Sequence, residues 1–351
     1  MSETSYLKSD QLVPRLPSEP GLVGFDLEAD SLYRYAERIC LIQVCYDDKV
    51  GLIDPLADDT LEPLVDWLKE ASIWMHGADY DMALMMNEWG FVPPVLFDTQ
   101  IAAQLLGHER FGYASLVEQY FEVELSKSSQ KADWGKRPLS EKMLKYAIND
   151  VRYLLPLASA VEKGLKELGR YEWFVESCAA SRTKALQRDS SQKESWRISG
   201  SGKLKPRGLA FLRALWQWRD QEAEAWNRPS FMIAGNKQLI EWSQLFASDQ
   251  RPSLPPRLRS DRKERLMKAV QEIELLDEAE WPQRPVRERR RKDPSFEARL
   301  KKVLSHRNGI AEELEIDPSI IASRPVLEQI VGGRKEPSEL LLNWQQSLLN
   351  L

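Results

Sequence analysis

The sequence predicts an α/β domain with a mixed sheet flanked by helices, followed by two small all-α modules. Three observations predict it. Short apolar, β-rich runs alternate with helically spaced segments in the first half of the chain. Beyond that half only helical spacing is found. Two polar connectors, 189–206 (DSSQKESWRISGSGKLKP) and 285–294 (PVRERRRKDP), divide the whole.

The runs GLVGFDL (21–27) and ICLIQVCY (39–46), the latter ending at Asp47-Asp48, read as neighbouring strands of a buried sheet. A third strand covers 50–53, a helix 61–70, a fourth strand 72–76, and a helix 80–89 that stops at Gly90. Helical spacing then holds over 101–106, 114–121, 141–155 and 158–168, which makes a helix cluster packed on the sheet. The first domain is therefore expected over 1–195. Amphipathic helices at 208–226 and 237–246, a Pro/Arg-rich loop (RPSLPPRLRSDR) and a helix at 263–272 make a second domain, 205–282. Helices at 296–304, 309–314, 326–331 and 338–349 make a third, 293–351.

A length of 351 residues suits two or three domains. Apolar content of 42% with 29% charged residues, and twelve tryptophans to anchor cores, excludes disorder outside the connectors. The polar opening lacks the pattern of a signal peptide, and no apolar run reaches the ~18 residues of a membrane span. The expectation is a cytoplasmic protein. Cys40, Cys45 and Cys178 form neither an even disulfide framework nor a CxxC pair, so they are expected to be reduced and buried, and structural zinc is excluded. The net charge of −5 hides an asymmetry: residues 1–196 sum to −11, 197–307 to +10 and 308–351 to −4. An acidic part suited to cations is thus joined to a basic part suited to phosphate.

Asp26 and Glu28 lie two apart in a strand, so their side chains leave the same face. Two carboxylates held together in an apolar strand call for a hard divalent cation to offset their desolvation. The alternative is a strand that ends at Phe25 and runs into a solvated acidic turn with Asp30. Tyr146 and Asp150 stand at i and i+4 of one helix face, a spacing that alone signals only a surface pair. Asp81 falls at a strand-to-helix junction, where a helix N-terminus favours a carboxylate even without a function. Asp98 in FDT suits a helix N-cap, or a brace behind the site.

In this order, D-x-E at Asp26 and Glu28, Asp81, and YxxxD at Tyr146 and Asp150 resemble the three exonuclease motifs of the DEDD superfamily, in its tyrosine-bearing branch. The flanking text (GFDLEADSLYRYAERICLIQV, FDTQIAAQLLG, GYASLVEQYF, SQKADWGKRPLSEKMLKYAINDVRYLLPL) resembles ribonuclease D over nearly the whole chain. His76 stands where the wider superfamily commonly has Asn, and HxxxxD is the ribonuclease D form. The resemblance implies a ribonuclease H-like fold for the first domain. It implies that Asp26, Glu28, Asp81 and Asp150 hold two divalent metal ions, Mg2+ or Mn2+, and that Tyr146 orients the attacking water. A phenol with a pKa near 10 is a poor base at neutral pH, so an orienting role suits it.

The resemblance further implies a monomeric 3′ to 5′ exoribonuclease that releases nucleoside 5′-monophosphates and acts on transfer-RNA precursors with 3′ extensions. LRALWQWRDQEAEAWNRPSFMIAGNKQLIEWS resembles the HRDC domain, and the last segment a diverged repeat of it. Lys127, Lys131 and Arg137, close to Trp134, are candidate RNA contacts, as are His76, Tyr80, Arg257, Arg259 and Arg262. A DNA exonuclease of the same superfamily would share all five motif residues, because the metals act on phosphate and not on the 2′-hydroxyl. A non-catalytic RNA-binding protein of this fold would be expected to have lost carboxylates that are all present.

Overall fold

The computed structural model describes residues 4–17, 22–57, 60–187, 195–256, 258–284 and 294–351. Among these, one compact unit gathers 4–29, 39–187 and 294–351, and a second gathers 30–38 and 195–284. Arg257, residues 189–194 of the first connector and residues 285–293 of the second lie outside the described residues.

The first unit begins with β1 (Thr4–Tyr6), α1 (Ser9–Leu12), β2 (Gly24–Ala29), β3 (Ile39–Tyr46), β4 (Lys49–Ile53), α2 (Glu62–Leu68), β5 (Ser72–Met75), α3 (Asp79–Trp89) and β6 (Val95–Asp98). It continues with α4 (Thr99–Leu105), α5 (Tyr113–Phe121), α6 (Glu141–Arg152), α7 (Leu154–Glu167) and α8 (Tyr171–Leu186). The second unit contains α9 (Pro206–Trp226), α10 (Ser230–Ile233), α11 (Asn236–Ala247) and α12 (Ser260–Glu274). The chain then returns to the first unit with α13 (Pro294–Glu313), α14 (Pro318–Ile321), α15 (Arg324–Val331), α16 (Pro337–Leu340) and α17 (Asn343–Leu349).

The six strands of the described residues form one sheet in the order β1-β4-β3-β2-β5-β6. β2, β3 and β4 pair antiparallel, whereas β1 with β4, β2 with β5 and β5 with β6 run parallel. This is the mixed sheet that the alternating runs predict. Alternation divides the side chains between two cores: Phe25, Leu27, Ile42 and Val44 meet α1, α2 and α3, while Leu41, Cys45 and Leu52 meet the helices of the other face. On that second face α6 lies across β2, β3 and β4. Gly24 matters there, since a methyl group on it would collide with Cys45 Sγ and with Leu154 at the start of α7. Its absence lets the α6–α7 junction approach the strand that carries Asp26.

The structure contains elements that periodicity does not reveal. β1 is a three-residue edge in a polar opening, and β6 is four residues long, too short for a pattern to register. α8 packs against α3, α4, α7 and β6 at once, so its apolar residues are spread around the helix instead of forming a stripe. Gly309 does not break α13, which runs unbroken where two helices are expected, and the expected helix at 338–349 is two short ones separated by an extended Leu341.

The expected third domain clusters with the α/β elements. Leu300, Ile321, Leu327, Trp344 and Leu349 share a core with Trp74, Leu157 and Phe174. Trp344 stacks on Trp173 of α8 at 5.0 Å. Arg170 is buried and donates to Leu105 O at the end of α4 and Leu314 O just past α13, both at 2.7 Å. No helix among the described residues is long and apolar enough to cross a membrane. All three cysteines are buried and free.

A carboxylate cluster as the candidate active site

β2 extends through Ala29, so Asp26 and Glu28 belong to the strand and not to a turn after Phe25. Asp30 is fully buried and bonded to Arg38, which also removes it from any solvated acidic turn. Because Phe25 and Leu27 take one face, Asp26 and Glu28 take the face beneath α6. Ser140 caps α6, accepting from Met143 N, and the helix presents Tyr146 and Asp150 one turn apart. One carboxylate oxygen from each of Asp26, Glu28 and Asp150 lies within 4.8 Å of the other two. Asp81, the third residue of α3, is buried beside them and hydrogen-bonded to the backbone of Leu27.

Desolvation pushes the Asp26 carboxyl well above its ordinary range, and the charges of Asp81, Asp150 and Glu28 add to the effect. Glu28 is raised for the same reasons, with Asp150 and Asp81 the main charges. Burial likewise lifts Asp81 and Asp150 to about 7. Four buried carboxyl groups, two of them raised further by their neighbours' charges and all offering only oxygen donors, fit a hard divalent cation, which would offset their desolvation and repulsion.

The same balance sets an expected pH dependence for the metal-free protein. Asp81 and Asp150 hold protons up to about 7 in the fold, against an ordinary value of 3.8. Between those values the folded state binds more protons than the unfolded one, so stability is full at low pH and is lost as pH rises through the folded value. In a chelator, thermal unfolding should therefore occur at lower temperature at pH about 8 than at about 5, and excess Mn2+ should restore the midpoint at the higher pH. A midpoint that climbs over this interval without metal would contradict the arrangement.

Tyr146 donates its hydroxyl to Asp150, and its ring packs on buried Trp134 at a centroid distance of 6.0 Å. Burial, followed by the charges of Asp150, Glu28 and Asp26, raises its pKa above that of an ordinary phenol. It stays protonated at neutral pH, a donor and not a base.

Two supporting residues complete the frame. Asp98 accepts from Gln100 N and so caps α4, and it also accepts from Gly77 N and Ala78 N at 2.8 and 2.9 Å. It thus fixes the turn from which Asp81 and its helix depart, and the N-cap reading is borne out. Tyr113 was missed in the sequence, where it lies just before a helical run. Its hydroxyl donates to Asn149 O and accepts from Tyr153 N, each at 3.2 Å, which holds the turn of α6 that carries Asp150. His76 packs its ring on Tyr113 at 5.4 Å, and its Nδ1 lies 2.9 Å from Thr99 Oγ1. Burial lowers the His76 pKa to about 4, so the ring is neutral.

The candidate RNA contacts separate into groups. Tyr80, Lys127 and Lys131 are exposed. Arg137 is committed elsewhere: it meets Asp54 through Nε and Nη2, and donates to the carbonyls of Trp134, Lys136 and Cys40. This ties the 126–140 loop to the sheet and occupies the guanidinium. Arg262, with a side chain 12% exposed, pairs with buried Glu222 and lies over the Trp226 ring. Arg259 pairs with Asp261 at 3.1 Å, and Arg257 lies outside the described residues. Trp134 is a core residue.

Comparison with known proteins gives a 3′-5′ exonuclease family match over residues 7–166 and an HRDC domain match over 208–246. The chain is 31% identical to the ribonuclease D of Zymomonas mobilis over 94% of its own length and 87% of that protein. It is 34% identical to the ribonuclease D of Bartonella henselae over 84% of this chain and 75% of that one. Among solved structures, Escherichia coli RNase D, described as an exoribonuclease involved in structured RNA processing, superposes with a TM-score of 0.76. That match covers 100% of this chain and 99% of the other at 24% identity, a likeness of fold.

Proposed function

The chain belongs to the ribonuclease D family and is a 3′ to 5′ exoribonuclease; from that premise we propose that Asp26, Glu28, Asp81 and Asp150 hold two divalent metal ions, Mg2+ or Mn2+, which serve its hydrolysis of RNA. One observation carries the reading: carboxylates from β2 and α6, more than a hundred residues apart, bring their oxygens within 4.8 Å. Nothing in the folding of an apolar sheet rewards such a cluster, whereas a phosphodiester-cleaving site requires it.

When bound, the ions would supply positive charge that draws the phosphodiester in and stabilises charge developing on the phosphate and the leaving 3′ oxygen. The chain's own residues do the rest. Asp26, Glu28 and Asp150 set the donor geometry, and buried Asp81 adds its charge to theirs. Tyr146, protonated and anchored on Trp134, keeps its proton toward Asp150, and its oxygen accepts from the attacking water and holds it in line with the bond to be broken. The water loses a proton as its oxygen bonds to phosphorus, the bond to the 3′ oxygen breaks, that oxygen takes up a proton from solvent, and a nucleoside 5′-monophosphate leaves.

Tyr80, Lys127 and Lys131 remain the proposed RNA contacts of the first unit, because they are exposed cationic or aromatic groups near the site in sequence. The proposed substrates are transfer-RNA precursors with 3′ extensions, trimmed in the cytoplasm by a single chain. The intact protein should release nucleoside 5′-monophosphates stepwise from a 5′-labelled oligoribonucleotide, stop in a chelator, and leave a matched oligodeoxyribonucleotide largely uncut. Cleavage insensitive to chelation would overturn the metal reading. Equal cleavage of DNA would move the substrate class, and unchanged transfer-RNA 3′ ends in cells lacking the protein would remove the proposed precursors.

A further inference from the structure

Gln43 stands on β3 directly opposite Asp26 in the antiparallel ladder, so the two side chains leave the same face with Cβ atoms about 4.5–5.5 Å apart. It is fully buried. Its partner on the other side is Leu52, and its neighbours on the same face of β3 are Leu41 and Cys45. Neither Nε2 nor Oε1 of Gln43 has a hydrogen-bond partner among the described residues. An unpaired amide in such a place forfeits its hydration, and Met or Leu would fill the same volume without that loss. A carboxamide is therefore explained only by a polar task, and the polar side chain across the ladder is Asp26.

A second orphan completes the pattern. The indole Nε1 of Trp134 is buried without a partner. Its backbone is tied to β3 by Arg137, which donates to Trp134 O at 2.7 Å and to Cys40 O at 2.6 Å. One buried donor and one buried amide are thus brought to the same strand, next to the tyrosine on which Trp134 packs.

We propose that Gln43 is a positioning residue for the reaction: when the cation binds, its amide turns so that Nε2 donates to the Asp26 carboxylate and fixes the orientation in which Asp26 serves as a ligand, while Oε1 accepts from Trp134 Nε1, two contacts that the described structure does not contain. The assignment rests on the metal-binding reading of Asp26. A neutral donor suits this role chemically. It occupies a lone pair that the carboxylate has to spare without adding positive charge, whereas Lys or Arg at the same place would compete with the cations for Asp26.

The test uses the full chain carrying Gln43→Met, with Trp134→Phe as a second variant that keeps a ring and deletes the N–H. Three quantities are measured: Mn2+ binding by calorimetry without RNA, thermal unfolding in chelator, and turnover on an oligoribonucleotide. Gln43→Met should unfold at the same or a higher temperature in chelator, bind Mn2+ about tenfold or more weakly, and lose turnover with little change in KM for RNA. Trp134→Phe should weaken Mn2+ binding in the same direction by a smaller factor, and it carries the test if Gln43→Met does not fold. Wild-type Mn2+ affinity in the folded variants overturns the assignment, and a lowered unfolding temperature with unchanged affinity does so in favour of mere packing. If the wild-type protein itself binds no Mn2+ and cleaves RNA in chelator, the metal reading fails; if only the variants are indistinguishable from wild type, the role of Gln43 fails alone.

Discussion

Asp26→Asn, Glu28→Gln and Asp150→Asn should each lower exonuclease turnover by about 10³-fold or more, a barrier increase on the order of 4 kcal/mol. Each change keeps the shape of the side chain and removes a negative charge from the group of three whose oxygens lie within 4.8 Å of one another. The fold should tolerate it. All three carboxyls are raised by desolvation, and Asp26 and Glu28 also by their neighbours' charges, so deleting one charge relieves repulsion in the metal-free state. Unfolding in chelator near neutral pH should therefore shift to equal or higher temperature, while the stabilisation gained on adding Mn2+ shrinks. Single-turnover cleavage alongside thermal melts separates the two effects. Near wild-type turnover in any of the three variants would end the assignment of that residue.

Tyr146→Phe should reduce turnover by about 10²-fold, the range associated with lost positioning of a reacting group. The ring would keep its contact with Trp134, and the hydroxyl that now goes to Asp150 would be gone. Since burial and three carboxylates hold the phenol protonated, its pH–rate profile should show no basic limb belonging to Tyr146, and the variant's profile should keep the wild-type shape at lower height. Unchanged turnover with weakened RNA binding would make Tyr146 a substrate contact instead.

The carboxylates were legible in the sequence because their chemistry is at odds with their surroundings. A D-x-E pair in an apolar run and a tyrosine one helical turn before an aspartate are both improbable in a passive core, and their order along the chain matches a known arrangement. The strands β2, β3, β4 and β5 were legible for the opposite reason, since their residues agree with their environment. What escaped was decided by tertiary contact. Tyr113 acts through a hydroxyl that reaches a backbone turn on another helix, which no local pattern encodes. Arg137 reads as a phosphate ligand because a cation beside an aromatic is typical of nucleic-acid surfaces; Asp54, 83 residues away, claims it first. Arg262 has the same history with Glu222. A cation in a sequence announces a charge without announcing whether another residue has already neutralised it.

The first unit is discontinuous, with α13 to α17 completing a core that β2 to α8 begin, and residues of the second unit falling between them in the chain. During synthesis at roughly 5–20 residues per second, the catalytic carboxylates and their sheet leave the ribosome well before the helices that cover Trp173 and supply Leu314 O, one of the two carbonyls that accept from Arg170. For several seconds the nascent chain offers an apolar face with no partner, which makes it a client for holding chaperones. A chain that stops before α13 would carry every catalytic group and lack the cover of its own core. Such a product is marked for proteolysis by its exposed surface, so quality control at the protein level would keep half-made nucleases from acting on cellular RNA.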